Sequence, residues 1–255
     1  MTFPDPEAFK DQVVVISGAA GGIGRLACEA FIDAGAQVIG IDRDQAQGRL
    51  LLESLGRRAA RFTFDTLDIA DPARISDWGE QLRHRQGRVN VLINNAGVLG
   101  MSPLLQTSVE EWDRLQAVNL RSVFLMTKAV APLLAESSVI LNMSSAAALH
   151  PTANTAAYSV SKAGVITFSK IAAAELAPRT RVNAICPGPL DTQMPRNFLK
   201  DHPLKNEIMN AMIGTTLLKR LGKPEEIVDL LMFLASRRAA YITGAVFSAD
   251  GGFAI

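Results

Sequence analysis

The sequence has few of the residues that cross-link a chain or hold a metal. It contains two cysteines and three histidines in 255 residues. Cys28 and Cys186 lie in separate apolar segments without a CxxC spacing, which favours buried, reduced thiols over a disulfide. Because His84, His150 and His202 are scattered along the chain and form no ligand cluster, we predict no metal site.

Long apolar runs and a strong net charge are also missing. No run approaches the roughly 18–20 apolar residues that a membrane span requires. The first segment, MTFPDPEAFK, lacks a basic stretch followed by an apolar one. The formal net charge of +1 provides no overall field for nucleic acid or an anionic membrane. We therefore expect a cytoplasmic protein whose partners are small molecules and other subunits, with no nucleic acid and no membrane.

Short β-branched and apolar runs alternate with longer amphipathic stretches. Several runs are continuously apolar, which is typical of a parallel sheet covered by helices on both faces. The pattern predicts one doubly wound, Rossmann-type α/β domain over residues 1–255, with a parallel sheet of about seven strands flanked by helices. The predicted strands are VVVIS (13–17), QVIGID (37–42), ARFTF (60–64), VNVLIN (89–94), SVILNM (138–143), RVNAIC (181–186) and AVFSA (245–249).

Two further segments have a predicted structure. Residues 108–134 have helical periodicity, with Trp112, Leu115, Val118 and Leu125 near one stripe. Residues 187–203 form the only long irregular stretch and are rich in proline and polar residues. Loops of that length in compact domains are often lids, so we predict a substrate lid over residues 189–216.

A glycine-rich turn, SGAAGGIG, follows the first predicted strand and opens a helix. Glycines let the backbone turn tightly and approach a pyrophosphate, whose charge the helix N-terminus favours. The next predicted strand ends in Asp42, where an acid can accept hydrogen bonds from ribose hydroxyls and repel a 2′-phosphate. Arg43 follows and can pair with a 2′-phosphate, but Asp42 would first have to swing away. The pattern favours dinucleotide binding, and NAD over NADP.

Later in the chain, AYSVSKAG places Tyr158 and Lys162 on one face of a predicted helix start, and Ser145 follows an upstream strand. With these residues the sequence resembles the short-chain dehydrogenase/reductase family over nearly its whole length. The resemblance depends on landmarks in the family's order, namely SGAAGGIG, Asp68 in LDIA, NNAG at 94–97, Asn119 in VNL, Ser145, Tyr158 with Lys162, PGPLDT at 187–192 and ITGAVFSADGG.

The resemblance implies four catalytic residues. Tyr158 would be the general acid/base, and Lys162 together with an oxidised nicotinamide would lower its pKa from the usual value of about 10. Ser145 would bind the substrate oxygen. Asn119 would complete a proton path to solvent through water on Lys162.

The resemblance also implies the residues that contact the cofactor. Thr192 and the Leu190 backbone would orient the carboxamide, and Asp68 would meet the adenine edge near the Ile69 backbone. For Asn94 and Asn95, a bond to neighbouring backbone is an equally good interpretation. NADP-preferring members often carry a basic residue where Gly21 stands, which again favours NAD. The expected cofactor-binding set is Ser17, Gly18, Gly22, Ile23, Gly24, Asp42, Arg43, Asp68, Ile69, Asn95, Ala96, Gly97, Tyr158, Lys162, Pro187, Gly188, Leu190 and Thr192.

Three functions are compatible with these observations. The leading one is an NAD-dependent enzyme that interconverts a secondary alcohol or diol and a ketone. The second is an NADP-dependent carbonyl or ketoacyl reductase, for which Arg196, Lys200 and Lys205 in the lid could bind a carrier, although an ordinary solvated helix face is the favoured interpretation of these residues. The third is a non-catalytic NAD-binding sensor, since this kind of fold also hosts non-enzymes.

The substrate pocket and the assembly are also predicted. Loop 146–157 and segment 193–218 should wall an apolar chamber, with His150 either near a polar group or packed at the surface. The family usually forms homotetramers, and the helices at 108–134 and 155–176 carry apolar residues that a partner could cover. The pocket residues expected are Ala146, Ala147, Met194, Phe198 and Met212, and the interface residues are Ala129, Val130, Ala172 and Ala173.

Overall fold

The computed structural model describes residues 7–193, 196, 200 and 204–253. Its centre is a seven-stranded sheet with the order β3-β2-β1-β4-β5-β6-β7, in which every neighbouring pair is parallel. This confirms the predicted doubly wound sheet. The strands are β1 Val13–Ser17, β2 Gln37–Asp42, β3 Phe62–Thr66, β4 Val89–Asn94, β5 Leu134–Met143, β6 Thr180–Pro187 and β7 Val246–Ala249.

Helices cover both faces of the sheet. They are α1 Gly22–Asp33, α2 Gln45–Leu55, α3 Pro72–Arg85, α4 Val109–Gln116, α5 Ser122–Val130, α6 Ala156–Leu176, α7 Lys205–Thr215 and α8 Pro224–Ala235. Val14 and Ile16 of β1 point into one apolar core with α1 and α8. Val13 and Val15 point into a second core with α3, α5 and α6. Burial on both faces explains why the strands read as continuous apolar runs.

The third predicted strand is displaced from the observed one. Residues 60 and 61 belong to a 3-10 turn, Gly56–Arg61, and the strand runs instead to Thr66, which pairs with Asp42. The polar pair Asp65 and Thr66 hides this strand end in the sequence. Asp65 lies there because it accepts hydrogen bonds from Trp78 at 2.7 Å and from Arg85 at 2.6 Å.

The predicted helix over residues 108–134 is also interrupted. A π-helical turn, Ala117–Arg121, separates α4 from α5, and Leu134 already belongs to β5. A π turn takes an extra residue and so rotates the next helical segment relative to a regular helix. The predicted stripe is only partly buried, because Leu115 is 1% exposed but Trp112, also in α4, is 37% exposed.

The interface residues predicted from the sequence are wrong. Val130, Ala172 and Ala173 are buried in the second core, and Ala129 packs on Gly79 of α3. The outward apolar side chains on α5 and α6 are different ones, namely Phe124, Val160 and Ile171. A periodicity of small residues could not distinguish contact with a neighbouring helix from contact with a second subunit.

Two other expectations concern side chains and membranes. Cys28 and Cys186 are both buried and unpaired, as predicted. Within the described ranges, no helix is both long and apolar enough to cross a membrane.

Candidate active site

All seven strands are parallel, so their carboxyl ends lie along one edge of the sheet. In open α/β sheets ligands bind beyond this edge, where the strand order reverses. Here the reversal lies between β1 and β4. The predicted site residues follow these strand ends, with Gly18 after β1, Asp42 at the end of β2, Asn95 after β4 and Ser145 after β5.

The turn after β1 has a backbone that only glycine fits comfortably. Gly18 and Gly22 have φ angles of +68° and +38°. A Cβ atom at Gly18 would lie 2.8 Å from the Cα of Ala96, and one at Gly24 would lie 2.0 Å from the carbonyl oxygen of Gly18. No side chain caps α1 and its first turn holds no acid. The N-terminal N–H groups can therefore receive an anion.

Asp42 is held at the end of β2 by two backbone donors. Its Oδ2 accepts a hydrogen bond from the N–H of Ala20 at 3.1 Å, and its Oδ1 accepts one from Asp44 at 3.1 Å. Its carbonyl oxygen accepts from Leu67 at 2.9 Å, which places Asp68 beside it at the next strand end. Arg43 is exposed and makes no hydrogen bond with the described part of the chain. The carboxylate is thus fixed toward the glycine turn.

The segment after β4 is tied to β1. The hydroxyl oxygen of Ser17 accepts hydrogen bonds from the N–H groups of Asn95 at 3.1 Å and Ala96 at 3.2 Å. The Asn95 amide donates to the carbonyl oxygens of Ser17 at 3.0 Å and Gly18 at 3.3 Å. Asn95 therefore bonds neighbouring backbone, one of its two predicted roles. These bonds hold the segment from Asn95 to Gly97 as a floor beside the glycine turn.

The proposed catalytic side chains converge on this floor. Tyr158 lies in the first turn of α6, and its hydroxyl is close enough to that of Ser145 for the serine to influence its pKa. Lys162, one turn later, is 4% exposed, and its Nζ donates to the carbonyl oxygen of Met143 at 2.9 Å. A Cβ atom at Gly97 would lie 3.2 Å from Nζ of Lys162 and 3.3 Å from Oδ1 of Asn119. The four predicted catalytic residues thus form one cluster.

Asn119 lies in the π-helical turn and is fully buried. Its Oδ1 accepts from the N–H of Val98 at 2.8 Å, and its Nδ2 donates to the carbonyl oxygen of Val98 at 3.0 Å and to Ser161 Oγ at 3.2 Å. The side chain therefore fixes the chain just after the floor. Its participation in a proton path stays a prediction.

Burial dominates the acid–base properties of the cluster. It raises the pKa of Tyr158, and the nearby Ser145 hydroxyl offsets part of that rise. Burial also lowers the pKa of Lys162 to about 8, against a smaller opposing effect of Cys186. The expected lowering of the Tyr158 pKa by Lys162 is thus not produced by the protein alone. The reason is that desolvation disfavours both charged forms.

The segment after β6 lies between the last loop of the chain and the start of α1. Gly188 packs so tightly on the last loop that a Cβ atom there would lie 2.5 Å from the Cα of Asp250. Leu190 bridges to Gly222, and its carbonyl oxygen accepts from the N–H of Thr192 at 3.0 Å. A Cβ atom at Gly22 would lie 3.8 Å from Thr192. Thr192 therefore lies beside the start of α1, and its role in orienting the carboxamide stays a prediction.

The predicted substrate pocket is only partly described. Ala146 is 1% exposed and lies in the interior, so it cannot line a chamber. His150 is exposed, and its ring meets that of Phe253 edge-on at 5.9 Å, which supports the packing interpretation. Arg196 is paired with Asp191 at 2.5 Å. Met194 and Phe198 lie outside the described residues, as does part of the predicted lid.

Sequence reasoning missed two polar residues beside the cluster. Asn142 and Ser144 are buried and face α6 from the end of β5, where they bond Ser169 and the Lys162 carbonyl oxygen. The available signal was the spacing of two polar residues at alternate positions in the otherwise apolar run VILNMS. Alternate residues of a strand share one face.

Comparison with known proteins gives the family. A family model described as enoyl-(acyl carrier protein) reductase matches residues 18–254. The chain is 35% identical over 246 residues to a cyclopentanol dehydrogenase of Comamonas, with 95% of this chain and 97% of that protein covered. The chain belongs to the short-chain dehydrogenase/reductase family. It is an NAD(P)-dependent dehydrogenase/reductase.

Other relatives of this short-chain dehydrogenase/reductase are named for different activities. It is 34% identical over 247 residues to a 3-oxoacyl-(acyl-carrier-protein) reductase of Thermotoga maritima, covering 96% of this chain and 98% of that one. Among solved structures, a glucose/ribitol dehydrogenase from Brucella melitensis matches with a TM-score of 0.90 and 31% identity, covering 98% of this chain and 100% of that chain. An aldohexose dehydrogenase of Thermoplasma acidophilum matches with a TM-score of 0.87 and 30% identity, covering 98% and 96%.

Proposed function

We propose that this enzyme uses NAD to interconvert a secondary alcohol, or a diol, and a ketone. The observation that carries the proposal is that the side chains of Ser145 and Tyr158 lie together, with Lys162 one helical turn after Tyr158 and beside Gly97. This arrangement supplies a proton donor or acceptor and a second hydroxyl that can bind the same substrate oxygen. A non-catalytic sensor would have no need of the intact set.

The residues at the sheet edge fit a dinucleotide. The glycine turn leaves room beside the N-terminus of α1 for a pyrophosphate, and Asp42 faces the position that a ribose would take. NAD, when bound, supplies the acceptor for the hydride that leaves the alcohol carbon. Asp68 would hold the adenine edge, and Thr192 with the Leu190 backbone would orient the carboxamide. Lys162 would bind the nicotinamide ribose hydroxyls.

The preference for NAD over NADP is supported by how Asp42 is held. Two backbone N–H groups fix its carboxylate, so a 2′-phosphate would meet a negative charge that cannot turn away without losing both bonds. Gly21 brings no positive charge to the same turn. Arg43 is exposed and would have to compensate alone.

The proton chemistry is assigned to Tyr158. During alcohol oxidation its phenolate accepts the hydroxyl proton while the carbon-bound hydrogen leaves as hydride, and ketone reduction reverses both transfers. Ser145 donates a hydrogen bond to the substrate oxygen and stabilises charge that develops there. Lys162 holds a positive charge near the phenolate when protonated, and Asn119 fixes the neighbouring loop.

The same site could serve an NADP-dependent carbonyl or ketoacyl reductase. The observation that favours this second candidate is the similarity to the carrier-protein reductase of Thermotoga maritima. A carrier would require free basic residues near the cleft, and Arg196 is instead paired with Asp191. We therefore rank it second.

A substrate panel tests the proposal directly. The purified enzyme is incubated with NAD or NADP and a set of secondary alcohols and diols that includes cyclopentanol, and the absorbance of the reduced cofactor is followed. We expect turnover of at least one alcohol with NAD. Turnover of a ketoacyl thioester with NADPH but of no alcohol would favour the second candidate, and no turnover of any substrate would contradict both.

A further inference from the structure

A chain of hydrogen bonds crosses the interior behind the catalytic cluster. Nδ2 of Asn94 donates to Oδ1 of Asn142 at 2.8 Å, and Nδ2 of Asn142 donates to Oγ of Ser169 at 2.9 Å. The Ser169 hydroxyl donates in turn to the carbonyl oxygen of Val165 at 2.7 Å. Asn142 is completely buried, and Asn94 and Ser169 are nearly so.

The direction of this chain is fixed by its last bond. A serine hydroxyl has a single hydrogen, and that of Ser169 is directed at Val165. Its oxygen can therefore only accept from Asn142, which must present its NH₂ group to α6 and its carbonyl oxygen to Asn94. Turning either amide would bring like groups together. Asn142 thus uses both ends of its side chain in defined bonds.

These bonds join the three elements that carry the site. Asn94 is the last residue of β4, directly before the floor at Asn95. Asn142 precedes Met143, whose carbonyl oxygen receives the Lys162 ammonium group. Ser169 lies on α6, the helix that carries Tyr158.

β4 and β5 are paired along their backbones, whereas the later part of α6 packs on the sheet through apolar side chains such as Phe168, Ala172 and Ala173. Apolar contacts are not directional, so they tolerate small sliding of a helix across a sheet. A satisfied buried amide tolerates little, because an unpaired polar group in the interior costs about 1–3 kcal/mol. The Ser144 hydroxyl adds a second tie, since it donates to the carbonyl oxygen of Lys162 at 2.7 Å.

We propose that Asn142 is a positioning residue, which sets α6 in register with β4 and β5 and so fixes Tyr158 and Lys162 relative to Ser145 and the floor at Gly97. The inference deepens the proposed function and depends on it for its kinetic test. Asn142 acts through Ser169 and touches neither substrate nor cofactor.

The test removes the hydrogen bond between Asn142 and α6, and compares the effect with the loss of another buried serine hydroxyl. Ser169→Ala deletes the acceptor of Asn142 without creating a large cavity. Ser138→Ala is the control, because Ser138 is equally buried in the middle of β5 and its hydroxyl pairs with that of Thr180 at 2.8 Å. Both variants are measured for thermal unfolding, for kcat and KM with the alcohol that the wild type oxidises fastest, and for amide hydrogen exchange.

We expect Ser169→Ala to lower kcat about tenfold with the KM for NAD changed less than about twofold, since sub-ångström displacement of reacting groups costs rate more than binding. Ser138→Ala should keep the wild-type kcat. Ser169→Thr, which retains the hydroxyl, should recover most of the rate. The proposal is wrong if Ser169→Ala keeps its kcat within about twofold of wild type, or if the control loses as much.

The test also applies if Ser169→Ala does not fold or if the wild type oxidises no alcohol. If Ser169→Ala does not fold, Ser169→Cys, which keeps the volume and is a weak acceptor, takes its place in the same comparison. If the wild type oxidises no alcohol, the proposed function fails, and hydrogen exchange decides the positioning alone. Amides of residues 156–165 should then exchange faster in Ser169→Ala than in Ser138→Ala, and equal exchange would overturn the inference.

Discussion

The ammonium group of Lys162 is bonded to the carbonyl oxygen of Met143 at 2.9 Å, at the end of the strand that leads to Ser145. One lysine thus links the helix that carries Tyr158 to the strand that precedes Ser145. Lys162 is also buried, and desolvation of its ammonium group lowers its pKa to about 8. The contribution of Lys162 can therefore be tested separately from the acid–base role proposed for Tyr158.

The first prediction concerns Tyr158. Tyr158→Phe keeps the ring and removes the hydroxyl, so turnover of the best alcohol should fall about 10²–10⁴-fold or more, the range for loss of a general acid/base. Affinity for NAD, measured by calorimetry, should stay within about threefold, since other residues hold the dinucleotide. A folded variant with near wild-type turnover would contradict the assignment.

The second prediction concerns the buried charge of Lys162. Its pKa is about 8 in the folded protein, against the ordinary value of 10.5 for a free lysine side chain. Between these values the unfolded chain holds more protons, so the free energy of unfolding should rise with pH. Below this window the cost of the buried ammonium group is fully present.

Lys162→Met keeps the stem and removes the titrating group. The difference in free energy of unfolding between wild type and this variant should therefore change by up to about 3 kcal/mol across the window, in favour of wild type at high pH. Urea titrations at a series of pH values without cofactor measure it. A difference that stays constant with pH would show that the ammonium group is not desolvated as described.

The architecture follows from the sequence because burial on both faces leaves a strong pattern. β1, β2 and β4 have the predicted bounds, and the strand ends at Asp42 and Met143 could be placed from the sequence alone. The π-helical turn around Asn119 leaves no such pattern, since it depends on how the side chain bonds Val98 across the fold. The spacing in VILNMS points to Asn142, but its bonds could not be predicted, because its partners Asn94 and Ser169 come from distant parts of the chain.

The third prediction concerns the choice of cofactor. The wild-type kcat/KM should be at least about tenfold higher with NAD than with NADP, equivalent to roughly 1.4 kcal/mol. Asp42→Ala should narrow this ratio by removing the repulsion of a 2′-phosphate. Adding Arg43→Ala should reduce NADP use again, because the arginine would then be the available cation. Equal use of both cofactors by the wild type would exclude the role given to Asp42.

The fourth prediction concerns the glycine turn. Gly24→Ala would place Cβ 2.0 Å from the carbonyl oxygen of Gly18, so the turn must shift. We expect a loss of about 3 kcal/mol in stability, the upper part of the range for overpacking, together with weaker NAD binding. Gly87→Ala is the control, since no atom lies within 4 Å of its added Cβ. Similar unfolding temperatures for the two variants would mean that the turn is less crowded than described.

The fifth prediction concerns assembly as a homotetramer. Phe124, Val160 and Ile171 are 47%, 50% and 52% exposed on α5 and α6. The rings of Phe124 and Phe168 meet edge-on at 6.4 Å, so apolar side chains of the two helices meet at this surface. Contiguous exposed apolar area of this kind marks contact sites, and closed symmetry would bury it against a second copy.

Light scattering at micromolar concentration should therefore give the mass of a tetramer for the wild type. Phe124→Glu and Ile171→Glu should each lower that mass, because a charge buried in the contact is costly without a partner. Leu52→Glu is the control, since Leu52 is 40% exposed on α2, away from this surface. A monomeric wild type would refute the tetramer. If both variants remain tetrameric, the subunits must contact each other through a different surface.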